Sequence, residues 1–194
     1  MRITPTYAIA ANNKVSVYEN KRDDDRVIQE VNQTIRSNVS AATVAYNRAN
    51  VFYGSGDYDK AIPLFSEALK LQPKNADALN QRCGARAVTG DLKPALEDCN
   101  AALVMRPGNT TTLENRGMTY LKLGMPDQAI SDYDEALKTV PNAPTSLYGR
   151  GVAKLMKGDA TASGTDFAAA KQIKPSIAEE FTKVGVQAKP KSFF

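Results

Sequence analysis

The sequence predicts an all-α solenoid of helix-turn-helix units, and three observations predict it. The first is a period of 34 residues carried by four independent ladders: Gly56, Gly90, Gly124 and Gly158; Pro73, Pro107, Pro141 and Pro175; Ala68, Ala102, Ala136 and Ala170; Arg48, Arg82, Arg116 and Arg150. A fixed period of this size marks stacked supersecondary units. The second is that each period splits into two helical segments, one broken at the Gly and one stopped before the Pro. The third is that the array has atypical ends, as a solenoid needs where a terminal unit has no neighbour to cover its apolar face. The division is an N-terminal extension (1–22), a capping helix or degenerate half unit (23–41), full units at 42–75, 76–109, 110–143 and 144–177, a C-terminal capping helix (178–187) and a tail (188–194).

In the first unit, helix A is expected over 42–55 and helix B over 58–71. Gly56-Asp57 breaks the chain between them, and Asp57 is placed to cap helix B. The same reading gives pairs at 76–89 and 92–105, 110–123 and 126–139, and 144–157 and 160–173. Pro94 and Pro126 fall in the first turn of a helix B, where a missing N–H costs little. Pro63 lies a turn deeper and is expected to strain its helix.

The packing logic repeats with the same period. Leu79, Leu113 and Leu147 supply a large apolar residue near the start of helix A, with Ala45 as the weak version. Small residues follow at Ala49, Cys83, Gly117 and Gly151, answered on helix B by Ala61, Ala95, Ala129 and Ser163. Four residues later come Phe65, Cys99, Tyr133 and Phe167. Small against small and large into gaps brings antiparallel helices to close packing. Asp98, Asp132 and Asp166 each lie sixteen residues after Arg82, Arg116 and Arg150, so an ion pair within each of these units is expected. Unit one has Leu64 at that place, which leaves Arg48 unpaired or reaching elsewhere.

These residues resemble the tetratricopeptide repeat family, most fully in the third unit: Leu113, Arg116-Gly117, Tyr120, Ala129, Tyr133 and Pro141. The resemblance covers about 42–177. The segments NRA, QRC, NRG and GRG look like the bacterial Asn-Arg-Gly variety, with Arg where the wider family often has Leu. The resemblance implies a right-handed superhelix with a C-terminal capping helix, and a concave groove, lined by the A helices, that holds an extended peptide or a partner helix. It makes a periplasmic or secreted home plausible where a signal has been removed. As given, the chain reads as soluble and untargeted.

The ends follow the same plan. Asp25–Ser37 parallels Asp59–Leu71, with Val27, Ile28, Val31 and Ile35 on one helical face, and reads as a lone helix B capped by Asp23-Asp24-Asp25. Ser176–Val186 begins like another helix A, matched at Phe181, Val184 and Gly185. Phe193-Phe194 closes the tail, read either as a frayed end or as a segment that docks in a groove.

Placed on the family's plan, the groove is lined by Tyr46, Asn50 and Tyr53 in unit one, Asn80 in unit two, Glu114, Met118 and Leu121 in unit three, and Tyr148, Val152, Leu155 and Met156 in unit four. It is amide-bearing at its N-terminal end, where Asn50 and Asn80 can read a peptide backbone with both donor and acceptor. It is apolar at its C-terminal end, which suits either foreign apolar anchors or a covering by the chain itself. Some relatives grip a partner's terminal carboxylate with Lys and Arg here. Tyr46, Asn50, Gln81, Thr111 and Asn115 hold the corresponding places, no base stands among them, and a carboxylate clamp is not expected.

Composition narrows the function classes. No histidine is present among the 194 residues, which removes the commonest general base and metal ligand. No nucleophile–base pair or metal cluster suggests itself, so no catalytic residue, metal or cofactor is expected. The charge of +4 is modest and the body carries no basic stripe, which argues against nucleic acid. No stretch approaches the roughly 20 apolar residues of a membrane span. Cys83 and Cys99 face each other in unit two and read as buried free thiols packing as small hydrophobes. A bridge between them would need an unusually close crossing. The expected function is a non-catalytic scaffold that binds another protein or peptide in the groove, with a structural subunit that self-associates through the groove or the Phe193-Phe194 tail as the alternative.

Overall fold

The structure, a computed structural model, describes the backbone of residues 21–188 and the side chains from Gln29 onward. Among these residues the chain forms nine helices: α1 (Lys21–Gly54), α2 (Tyr58–Leu71), α3 (Ala76–Thr89), α4 (Leu92–Met105), α5 (Thr110–Lys122), α6 (Pro126–Thr139), α7 (Pro144–Met156), α8 (Ala160–Ile173) and α9 (Ile177–Lys183). The end of α1 pairs with α2, then α3 with α4, α5 with α6 and α7 with α8. The A-type helices also touch one another in series, α1 to α3, α3 to α5 and α5 to α7, whereas no two B-type helices meet. The A helices are therefore the inner layer of a curved array, and the B helices the outer one.

The repeated Gly turns each A helix into its B helix. Gly56, Gly90, Gly124 and Gly158 have φ of 79°, 94°, 72° and 88°, a conformation that costs other residues a clash at Cβ. The next N–H reaches back to an orphan carbonyl each time: Asp57 to Phe52 (2.9 Å), Asp91 to Arg86 (2.9 Å), Met125 to Tyr120 (2.9 Å), Asp159 to Lys154 (3.0 Å). Asn75, Asn109 and Asp159 cap the following helices through their side-chain oxygens. Asp57 does not cap α2; its carboxylate accepts from Lys60 Nζ instead (2.6 Å). Helix α2 continues through Pro63, whose ring supplies no N–H to the carbonyl of Asp59.

At both ends the structure departs from the expected pattern. One helix runs from Lys21 to Gly54, through the expected break between a capping helix and the first helix A. Ser37–Ala42 contains neither Gly nor Pro, so nothing there forces the chain out of helical φ/ψ as Gly56 does. The side chains of Asp23, Asp24, Asp25, Val27 and Ile28 lie outside the described residues, as do residues 1–20 of the N-terminal extension and Phe193-Phe194. At the other end α9 stops at Lys183, because Gly185 turns left-handed (φ 81°) and the Val186 N–H closes on the Phe181 carbonyl (2.8 Å).

The expected core is in place. Ala49, Ala61, Ala95, Ala129, Phe65 and Tyr133 are all buried, and Leu79, Leu113 and Leu147 nearly so. A Cβ on Gly117 would stand 2.8 Å from the Tyr133 ring, and one on Gly151 2.8 Å from that of Phe167. The small residue is thus a requirement set by the aromatic sixteen positions later. In unit two the same pair of places holds Cys83 and Cys99, and they are not free thiols: a disulfide joins them across a Cα–Cα distance of 5.4 Å. The axis separation of packed helices, roughly 8–10 Å, misleads here. Each Cα lies about 2.3 Å off its axis, so two residues facing each other come within bridging range.

The arginine ladder forms as expected and does more than expected. Arg116 donates to Asp132 twice, Nε to Oδ2 (2.8 Å) and Nη2 to Oδ1 (2.6 Å), and Arg82 with Asp98 and Arg150 with Asp166 repeat both distances. The remaining Nη1 reaches the helix B of the preceding unit: Arg82 to Ser66 (2.9 Å), Arg116 to Asn100 (2.8 Å), Arg150 to Asp134 (2.8 Å). Those acceptors are themselves 34 residues apart, so each Arg ties its own unit to the one before. Exposed Arg48 makes no ion pair among the described residues.

Candidate binding groove

On the inner layer, adjacent A helices bring polar groups together at the N-terminal end. Asn115 Nδ2 donates to Asn80 Oδ1 (3.0 Å) and lies 3.4 Å from the Asn80 carbonyl, so α3 and α5 are joined across the concave face. Gly84 makes room beside them: a Cβ there would lie 2.7 Å from the Tyr53 hydroxyl and 3.1 Å from Asn115 Nδ2. Tyr53, Asn80, Gly84 and Asn115 therefore form one patch spanning three units. Burial, then the neighbouring Tyr58, pushes the Tyr53 phenol up to about 12, which keeps it a neutral donor. Tyr53 also packs edge-on against Tyr58 and Phe65, with ring centroids at 5.3 and 6.2 Å, and Tyr46 reaches Phe65 at 6.0 Å. Asn50 Oδ1 is buried without a hydrogen-bond partner among the described residues.

In the middle, Glu114 is half-buried and accepts from Ser146 Oγ of the next A helix (2.6 Å). Burial raises its pKa, against the lowering effect of Ser146. Met118 packs between the cores of units two and four. Lys122, not singled out from sequence, donates Nζ to the carbonyls of Ala87 (2.6 Å) and Val88 (3.0 Å) at the C-terminal end of α3, and burial lowers its pKa. A cation there answers the negative end of that helix.

The expected apolar end is not open. Leu121, Tyr148 and Val152 are 5%, 6% and 1% exposed, in one core with Ile177, Phe181 and Val186. Tyr148 stacks between Phe167 and Phe181, each at 4.8 Å. The capping helix and the segment after it, with Ala188 also against this core, cover the face that sequence reasoning offered to a ligand. Leu121 on α5 and Tyr148 and Val152 on α7 make one apolar face, and burying it under the tethered segment that follows removes it from water. Leu155 and Met156, at the rim, stay half-buried. Of the expected groove residues, Tyr46, Asn50, Tyr53, Asn80, Glu114 and Met118 stay partly exposed, with Asn115 beside them, whereas Ser146 and Tyr133 in the same seam are buried. Asn115, named above only for the clamp positions, and Ser146 are the partners that an inward Asn80 and Glu114 require on the next helix. A depression of 730 Å³ lined by Pro73, Asn75, Met105 and Arg106 includes none of them.

Two sequence profiles described as tetratricopeptide repeat match residues 46–110 and 111–142, an unbroken run over half of the chain. A thermophilic TPR protein in Thermus thermophilus superposes with a TM-score of 0.64 at 22% identity, over 75% of this chain and 84% of that one. The TPR domain of Arabidopsis OM64 does so at 0.58 and 25% identity, over 60% and 97%. The first TPR of Spaghetti (RPAP3), solved bound to the HSP90 peptide SRMEEVD, gives 0.52 and 21%, over 71% and 96%. No curated protein matches the chain in sequence. The helical array with its left-handed Gly turns is that of a helix-turn-helix repeat protein. The chain belongs to the tetratricopeptide repeat family, whose domains mediate protein–protein interactions. Among the described residues no helix is long and apolar enough to cross a membrane.

Proposed function

We propose that this protein is a non-catalytic scaffold that binds an extended segment of a partner protein on the concave face between Tyr46 and Met118. Asn50 carries this reading: it is partly exposed on the inner layer, its side-chain oxygen has no partner among the described residues, an unmet acceptor costs about 1–3 kcal/mol, and turned into the groove its amide offers a peptide backbone both donor and acceptor. The adjoining Asn80–Asn115 pair and the neutral Tyr53 phenol extend the same chemistry along the groove. The RPAP3 domain, solved with a peptide bound, supports the array as a peptide-holding architecture. The binding residues are Tyr46, Asn50, Tyr53, Asn80, Glu114 and Met118. Leu155 and Met156 are left at the rim, and Leu121, Tyr148 and Val152 serve the core. The NRA, QRC, NRG and GRG segments favour the bacterial Asn-Arg-Gly variety.

Selection of a displayed library of random peptides on the intact array tests this. Enriched peptides should bind the parent and lose at least tenfold on Asn50→Ala/Asn80→Ala, about the cost of unpairing buried amides. Enriched peptides indifferent to both changes would place binding elsewhere. Self-association is the second reading, favoured by Ile35, Val39, Val44 and Val51, which stand 48%, 47%, 54% and 71% exposed on α1. Light scattering separates the two, since a mass that doubles with concentration and reverts on Val44→Asp/Val51→Asp supports assembly.

A further inference from the structure

Glu114 differs from the other interior carboxylates of the array. Asp98, Asp132 and Asp166 each hold an Arg, whereas Glu114 makes no ion pair among the described residues and meets only neutral donors, the Oγ and the backbone N–H of Ser146 in the first turn of α7. Those two bonds offset part of the burial, but no positive charge faces the carboxylate, and a cation that reached it would be favoured.

A second unmet group lies one turn away. Gly117 follows Glu114 by three residues on α5, and Gly149 follows Ser146 by three on α7. The Tyr133 ring enters between these two glycines from the outer layer: a Cβ on Gly117 would be 2.8 Å from its Cζ, and one on Gly149 2.6 Å from its hydroxyl. The hydroxyl thereby reaches the inner layer, on the turn next to the Glu114–Ser146 contact. It is buried and has no hydrogen-bond partner among the described residues, on a side chain 0% exposed. Buried phenols ordinarily find a partner. Burial, then Glu114, raises the Tyr133 pKa well above the ordinary value, so the group stays neutral, able to donate and to accept.

We propose that this part of the groove receives a lysine side chain of an extended partner peptide: Glu114 takes the ammonium, the Tyr133 hydroxyl is the polar floor beneath it, and Met118 flanks the aliphatic stem. The ammonium is a compact charge with three donors, which suits a carboxylate oxygen and a phenol on adjacent turns. Met118, one turn beyond Glu114 and half-buried, supplies an adaptable apolar wall. The groove then selects for positive charge where the clamp-bearing relatives select for negative.

This assignment rests on the groove as the binding face, and the test keeps the two apart. A peptide enriched from the displayed library is synthesised with its basic residue as lysine, norleucine or glutamate. The lysine form should bind about tenfold more tightly than the norleucine form, the scale of a charge-assisted hydrogen bond, and the glutamate form most weakly. Glu114→Gln, which can still accept from Ser146, should abolish the difference. Tyr133→Phe, which keeps the ring between the glycines, should shrink it several-fold. Peptides that need Asn50 and Asn80 yet bind alike in all three forms overturn the lysine site and leave the groove. A preference that survives Glu114→Gln also overturns the site. Failure to enrich any peptide removes both.

Discussion

Units one and four are written on one 34-residue plan and are held together differently. In unit four, Arg150 is bound by Asp166 and Asp134, Asp166 also takes Lys154 (2.8 Å), and α9 closes the inner face over Tyr148 and Val152. In unit one, Leu64 stands at the aspartate's place and Arg48 is exposed, α1 continues far beyond its partner α2, and Val44 and Val51 are exposed. The difference shows what a ladder arginine needs: a carboxylate sixteen residues ahead and a polar acceptor sixteen residues behind. Where the first is missing, the same residue type is a solvated charge. The array is tied by these pairs from unit two to its C-terminal cap, and its first helix gathers four exposed apolar residues, Ile35, Val39, Val44 and Val51.

That contrast can be broken at several strengths. Asp132→Ala should cost about 3–5 kcal/mol, because it strands a half-buried guanidinium, while Arg48→Ala should stay within about 0.5 kcal/mol as a surface change. Denaturant midpoints of the two variants measure this, and equal losses would remove the distinction between units. Opening the Cys83–Cys99 bridge with Cys83→Ala/Cys99→Ala should cost about 3 kcal/mol, the loop-closure figure for some 15 residues. The same denaturation with and without reductant should then shift the parent and not the variant. Gly149→Ala should lose about 1–3 kcal/mol by overpacking against the rigid Tyr133 ring. Gly164→Ala on α8, where a Cβ meets nothing within 4 Å, should gain about 0.5–1 kcal/mol from helix propensity alone. Thermal midpoints moving in opposite directions would show it, and two losses would not.

The smallest effect is with pH. Burial alone would raise the Asp166 pKa, but Arg150 and Lys154 outweigh it and hold the carboxylate below its ordinary 3.8. A group depressed on folding stabilises the folded chain above its unfolded value, and that contribution fades as pH falls below 3.8 through the folded pKa. Glu114 has the opposite sign: its pKa is raised above 4.5, so it favours unfolding once pH rises past that point. Parent and Glu114→Gln stability curves should therefore diverge above pH 4.5, and parent and Asp166→Asn curves should converge below pH 3.8.

Most of the fold was legible in the residues. The Gly and Pro ladders located seven helices within a residue and the end of the first, and the sixteen-residue spacing predicted three ion pairs to the right partners. The second arm of each Arg was legible in principle, as Ser66, Asn100 and Asp134 share the period, but their different chemistries hide the ladder. The groove was read less well. Helical position tells which side chains face inward, not whether another segment lies over them, and so Leu121, Tyr148 and Val152 passed for ligand-binding residues. Tyr133 was read as a filler of gaps, and its hydroxyl became visible only once Gly117 and Gly149 were seen on either side of the ring.

The sequence by itself determined the period, the turns, the small-to-large pairing and the arginine–aspartate stitches, because each is a local or one-period rule that a helix of 3.6 residues per turn enforces. Tertiary structure alone decided that Cys83 and Cys99 are bridged, that α9 covers the C-terminal apolar face, and that Glu114 and Tyr133 share one interhelical seam. Those outcomes depend on distances of an ångström or two between helix surfaces and on which apolar segment arrives first at a bare face. Periodicity carries neither.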